Sequence, residues 1–184
     1  MIQRRSNIKG VDTLIDQFQL NLYNKLIAKW GLTGNESKYE CYPRCYRNQT
    51  DDGYIPEVKI NSSNEYKEVL WNDTLSAISF FGTGEETAFE IWATADIHLI
   101  FFVNAEALKP GAERRDEEIR LDVMKVVETG YCNFLLKSIT TGIDNVFKEY
   151  SGFRISEGLK FLDMHPLHCF RFDFSLNYKP TECY

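Results

Sequence analysis

The stretch AFEIWATADIHLIFFV, residues 88–103, decides how the rest of the chain is read. Phe89, Ile91, Ala93, Ala95, Ile97, Leu99, Phe101 and Val103 occupy every odd position without a break. The even positions begin mixed (Glu90, Trp92, Thr94, Asp96, His98) and end apolar (Ile100, Phe102). A period of two means extended backbone, with one face buried throughout and the other buried only late. As one strand it would span about 50 Å at ~3.3 Å per residue, more than a small domain needs. The alternative is a hairpin, with its bulge or turn near Thr94-Ala95-Asp96. Under both readings the stretch is the centre of a sheet.

Working outward, Val11, Leu14, Ile15, Phe18, Leu22, Leu26 and Ile27 recur at three- and four-residue steps. They predict an amphipathic helix from Val11 to Trp30 that Gly31 ends. Residues 32–87 read as short strands and turns. Tyr39 to Tyr46 is β-rich but carries Pro43, which suits an edge strand. Asp51-Asp52-Gly53 signals a turn, and Ala77 to Phe81 reads as a further strand. Gly82-Thr83-Gly84 reads as a hairpin turn, because the Lys-Ser/Thr pair of a phosphate loop is missing and Glu85-Glu86 would repel phosphate.

After the Pro110-Gly111 break, Ile119, Val123, Val126 and Val127 predict a helix over 113–128. Leu135, Ile139, Ile143, Val146, Phe147 and Tyr150 predict another, with Gly142 inside it. Phe170, Phe172, Phe174, Leu176 and Tyr178 alternate with Arg171, Asp173, Ser175 and Asn177, a last strand with one packed face and one wet face. Helix, strands, two helices and a final strand imply an α+β fold: a mostly antiparallel sheet packed by the first helix and the two later ones. No linker or internal repeat divides the chain. Residues 1–184 read as one domain, with 1–10 a flexible or docking tip.

Composition narrows the function. The chain has 184 residues, a net charge of −6 and 14% aromatic residues. The acidic balance disfavours nucleic-acid binding, which depends on Lys and Arg neutralising phosphates. Aromatic side chains serve protein contacts as well as cores. No apolar run is long enough to span a membrane, and none near Met1 suits a signal peptide. Five cysteines at irregular spacing suit free thiols better than a disulfide framework.

Two constellations could carry chemistry. Cys41 and Cys45 with His165 and His168 would supply two thiolates and two imidazoles, a tetrahedral zinc set, with Cys169 alongside. Cys169 and His98 could form a nucleophile pair, although nothing activates the thiol. A strand histidine and small buried thiols are the simpler expectation, with no catalytic, cofactor-binding or metal-binding residue assigned.

The element order resembles the tail completion and tail terminator proteins of tailed bacteriophages, the ring proteins of crAss-like phages among them. It rests on the helix Val11 to Trp30, the strand region Ala88 to Val103, the helical segments over Glu113 to Tyr150 and the aromatic strand Phe170 to Tyr178. The resemblance implies a non-enzymatic virion protein, made in the host cytoplasm. It would form a homomeric ring of six or twelve subunits between portal and tail. Its partners would be itself and other connector, portal and tail proteins, with no membrane. DNA would pass through the lumen without specific binding, past a lining where Glu85/Glu86 or Asp51/Asp52 are candidates. The competing expectations are a small cytosolic zinc protein or enzyme using Cys41/Cys45 with His165/His168, and a monomeric module with a ligand pocket beneath the sheet.

Overall fold

The structure, a computed structural model, describes residues 1–59, 65–129, 134–154 and 164–180. Helix α1 (Val11–Lys29) ends where Gly31 takes a positive φ of 63°. Strands β1 (Tyr39–Arg44), β2 (Tyr46–Thr50), β3 (Gly53–Lys59) and β4 (Tyr66–Glu68) follow, then the long pair β5 (Ala77–Phe89) and β6 (Trp92–Asn104). The short α2 (Ala105–Leu108) and α3 (Arg115–Glu128) lead to β7 (Phe134–Thr141), α4 (Ile143–Val146) and β8 (Leu167–Tyr178).

The main sheet has five strands in the order β1-β5-β6-β8-β7. Its neighbours run antiparallel except β1 and β5. The α+β expectation holds, with β6 at the centre and the proline-bearing β1 at an edge. A smaller antiparallel sheet, β2-β3-β4, continues from the end of β1.

Each face of the main sheet has its own core. On one face, the odd residues of β6 from Ala93 to Val103 and Phe170, Phe172, Phe174 and Leu176 of β8 pack against α1 and α3. Gln19 fastens α1 to the sheet, its amide donating to the carbonyls of Gln3 (2.8 Å) and Cys41 (3.0 Å). The first residues also run along β1: Gln3 N–H donates to Cys41 O at 2.9 Å, and Cys41 N–H to Met1 O at 3.0 Å. On the other face, Ile78, Phe80, Ile100, Phe102 and Cys169 pack under Trp71, Phe147, Tyr150 and Phe153. This second core stops at Ile100, so the second face is buried only at its far end, as the even positions of 88–103 foretold.

Five expectations need correction. The odd face of 88–103 is buried only from Ala93 onward, because nothing covers Phe89 and Ile91, which are 76% and 62% exposed. The break in 88–103 is a hairpin turn at Glu90-Ile91, where Phe89 pairs with Trp92, rather than one near Thr94-Asp96. Gly82-Thr83-Gly84 is not a turn but lies inside β5, running into a register shift between Thr83 and Glu86. The predicted helix over Leu135 to Tyr150 is strand β7, then Gly142 at φ 85° and a single helical turn. A bulge between Leu136 and Ser138 moves the inward positions of β7 from Phe134 and Leu136 to Ile139. Leu135, the first residue of the predicted stripe, points outward at 66% exposure, so the four-residue step from Leu135 to Ile139 joins opposite faces of a bulged strand. Finally, Arg171 is only 8% exposed, so the second face of β8 is not wet there.

Candidate functional site

Beyond Ile100 the second face of the sheet turns polar. His98 sits opposite Asp173 in the β6–β8 ladder, with His98 Nδ1 2.6 Å from Asp173 Oδ1. His98 Nε2 lies 3.6 Å from Glu149 Oε1. Arg171 reaches both carboxylates: its Nε is 2.8 Å from Asp173 Oδ1 and its Nη1 3.7 Å from Glu149 Oε1. Both nitrogens lie outside hydrogen-bonding alignment, so these contacts are chiefly coulombic. Ser138 and Thr140 of β7 donate to Asp173 Oδ2 at 2.9 and 3.4 Å. Burial pushes the Asp173 carboxyl up. The hydrogen bonds from His98 and Ser138 and the charge of Arg171 outweigh it, and hold the group below its ordinary value.

Two glycines let this cluster close. A Cβ on Gly84 would stand 3.1 Å from His98 Nε2, and one on Gly82 would stand 3.0 Å from the Tyr150 hydroxyl. Their use is therefore close packing over His98 and Tyr150. Chemically the cluster is a clasp: both nitrogens of His98 face carboxylates, and the hydroxyls of Ser138 and Thr140 point to Asp173 rather than to the imidazole. It joins β6, β7, β8 and the segment after α4.

Above the clasp lies a cleft of about 420 Å³, walled by Arg5, Arg44, Tyr46 and Arg47 on one side and Thr83, Gly84 and Glu149 on the other. It forms where the chain leaves β1 for β2: Cys45 N–H donates to Phe81 O at 2.7 Å, and the next residues diverge into the small sheet. Arg44 grips Asp12 of α1 with Nε at 2.7 Å and Nη2 at 2.9 Å. Arg5 donates to Arg44 O at 2.6 Å and lies 4.9 Å from the centre of the Tyr46 ring. Arg47 stacks 3.7 Å above the Tyr54 ring. A second cavity of about 420 Å³ shares Arg5 and Tyr46 and adds Lys9, Asp12 and Lys59. Together they make a groove with five cations against two carboxylates, Asp12 and Glu149. No basic cluster is visible in the sequence, because these cations lie in separate segments of the first 59 residues.

The thiol and imidazole candidates are not assembled. Cys41 packs under α1, 3.3 Å from Ser79 Oγ, whereas Cys45 and Cys169 belong to the core on the other face. Burial pushes the Cys41 and Cys45 thiols up, Cys45 strongly, which disfavours thiolate chemistry. His165 and His168 have ring centres 5.9 Å apart, and His165 Nε2 lies 3.2 Å from Arg115 Nη1. Among the described residues, no group of three or more His, Cys, Asp and Glu side chains is placed to hold a metal ion, so the Cys41/Cys45–His165/His168 zinc set does not form. Cys169 stands opposite Phe102 and His98 opposite Asp173, four positions apart along the ladder, so that nucleophile pair does not form either. Cys132 and Cys183 lie outside the described residues.

The other conspicuous surface is the end of the β5–β6 hairpin. Phe89 is 76% exposed, Ile91 62% and Trp92 51%, with Lys179 Nζ 5.0 Å from the Trp92 ring centre. Strand β1 pairs with β5 only as far as Phe81. Among the described residues nothing pairs with the outer edge of β5 beyond that point. Exposed apolar tips and open strand edges are prone to contact with other chains. No protein-family model matches the chain, and comparison with curated proteins finds no match.

Proposed function

We propose that the chain is a structural virion protein that assembles into a homomeric ring in the portal–tail connector of a tailed bacteriophage. Its neighbours are other copies of itself and further connector, portal and tail proteins. The observation that carries this reading is the β5–β6 hairpin end, with Phe89, Ile91 and Trp92 in solvent beside an open stretch of strand edge. A monomer gains nothing from three large apolar side chains at a hairpin tip, whereas a subunit interface gains the burial of each, about 1.5–3 kcal/mol for a fully buried side chain. The His98 clasp supports the same reading, since it stiffens the base from which the hairpin projects. The net charge of −6 suits a ring through which DNA moves without being held.

The test is the mass of the assembly in solution, by light scattering, followed by negative-stain imaging of the protein alone and co-expressed with its genomic neighbours. Closed rings of six or twelve subunits are expected. Single interfaces in such rings are weak, so assembly should rise steeply with concentration. A protein that stays monomeric in every mixture, or one zinc bound per chain, would reject the reading.

A further inference from the structure

The groove and the hairpin end are opposite in charge. Between Gly82 and Ile97 the chain has no Lys or Arg, but it has Glu85, Glu86, Glu90 and Asp96. Two of these are engaged within the molecule: Tyr178 donates to Glu86, and Lys137 donates to Asp96 at 2.6 Å. Glu85 and Glu90 make no ion pair among the described residues. Glu90 also sits at the turn with a positive φ of 55°, where glycine or asparagine is the relaxed choice. A glutamate in that conformation at an exposed hairpin turn suggests a use for its carboxylate. The groove offers the counterpart. Arg47 is stacked on Tyr54 with no carboxylate partner among the described residues. Arg5, whose Nη1 lies 3.5 Å from Asp12 Oδ2, adds its charge to the same wall.

We infer that the groove holding Arg5, Lys9, Arg44, Arg47 and Lys59 receives the acidic, apolar-tipped end of the β5–β6 hairpin, Glu85 to Trp92, from a neighbouring copy. The inference rests on the ring reading and names its subunit contact. It assigns Glu85 and Glu86 to that contact rather than to the lumen. A molecule cannot fill its own groove this way. Gly84 is part of the groove wall, and past the register shift β5 is again paired with β6 from Glu86 to Phe89, which carries the tip about 17 Å further at ~3.3 Å per residue. Groove and hairpin end are different surfaces, so the contact is head-to-tail, the kind that closes into a ring when the rotation per subunit divides the circle. Nucleic acid is the less suitable occupant, because the rest of this acidic chain repels a polyanion.

The experiment places a photoreactive group at the tip, Ile91→benzoylphenylalanine, in the full chain at high concentration and low salt. Cross-linked peptides are mapped by mass spectrometry. Links from position 91 to residues 5–9 or 44–59 of a second copy are expected. Arg47→Glu should lower their yield by roughly tenfold or more. Glu90→Arg, mixed with the Arg47→Glu chain, should restore it. Thermal melts of each variant check that the fold is intact. Links to another surface, or no intermolecular link at all, would overturn the groove as receptor. So would tight binding of a short DNA duplex that Arg47→Glu abolishes. Groove links accompanied by open chains or dimers in the images would support the contact and reject the ring.

Discussion

Strand β5 is two strands in one. From Ala77 to Phe81 it is completely buried, paired with β1 on one side and β6 on the other and covered on both faces. From Glu85 to Phe89 it is exposed, paired with β6 alone. The β6 ladder runs along both halves, with a register shift between Thr83 and Glu86, but only the inner half has a second strand beside it and cores above and below it. The inner half is held by apolar burial on two faces, and the outer half by its partner strand, the clasp at its root and the hydrogen bond from Tyr178 to Glu86. A sheet built this way separates stability from contact-making along a single strand, so each half can be altered without the other.

Substitutions on the two surfaces should therefore have separable effects. Phe172→Asp puts a carboxylate at a fully buried inner position between Phe170 and Phe174. It should destabilise by roughly 5 kcal/mol or leave the chain unfolded, read by urea titration with circular dichroism. A variant that melts like the parent would break the comparison at its strongest point. Arg171→Ala removes the cation between Asp173 and Glu149 and should lower stability by roughly 3 kcal/mol, as breaking a buried ion pair does. An unchanged urea midpoint would mean that this face is wet after all.

The acid dependence comes next. A carboxyl whose folded pKa lies below its unfolded value near ~3.9 stabilises the protein above that pH, and the contribution is lost as pH falls through the folded value. Asp173 is such a group. Stability should therefore fall below about pH 4, with a shallower slope in Asp173→Asn. Equal slopes would remove Asp173 from the clasp. The smallest effect on folding belongs to the outer half. Ile91→Asp should shift stability by no more than about 0.5 kcal/mol while abolishing assembly. A large loss of stability there would show that the hairpin end is part of the core.

Much of the inner half was legible in the sequence, and much of the outer half was not. The alternation of Ala93 to Val103 and of Phe170 to Tyr178 reports burial directly, since each inward position meets a continuous core. The same alternation through Phe89 and Ile91 was misread. Parity reports which face a residue occupies, but it does not report whether anything covers that face. Strand β7 was not legible because Leu135 and Ile139, four apart, imitate a helical step although the bulge puts them on opposite faces. The burial of Arg171 was hidden because Glu149 and Asp173, which hold it, come from separate segments. The arginine groove is the extreme case: Arg5, Arg44 and Arg47 meet only because residues 1–5 lie along β1 and the chain diverges after Cys45.

The pairing of β6 with β8 has a kinetic consequence. Leu99 finds Phe172 only after α2, α3, β7 and α4 have intervened, whereas Phe89 and Trp92 meet across a two-residue turn. The β5–β6 hairpin can form in about 1–10 μs, but closing the sheet around it requires an entropically expensive long loop. During synthesis, at about 5–20 residues per second, the open edge of β6 must wait for seconds until β8 leaves the ribosome. Its inward apolar row stays unclosed on that side for the same interval. Refolding at high concentration should therefore lose material to off-pathway association at this edge, and slow dilution should recover more of it than rapid concentration.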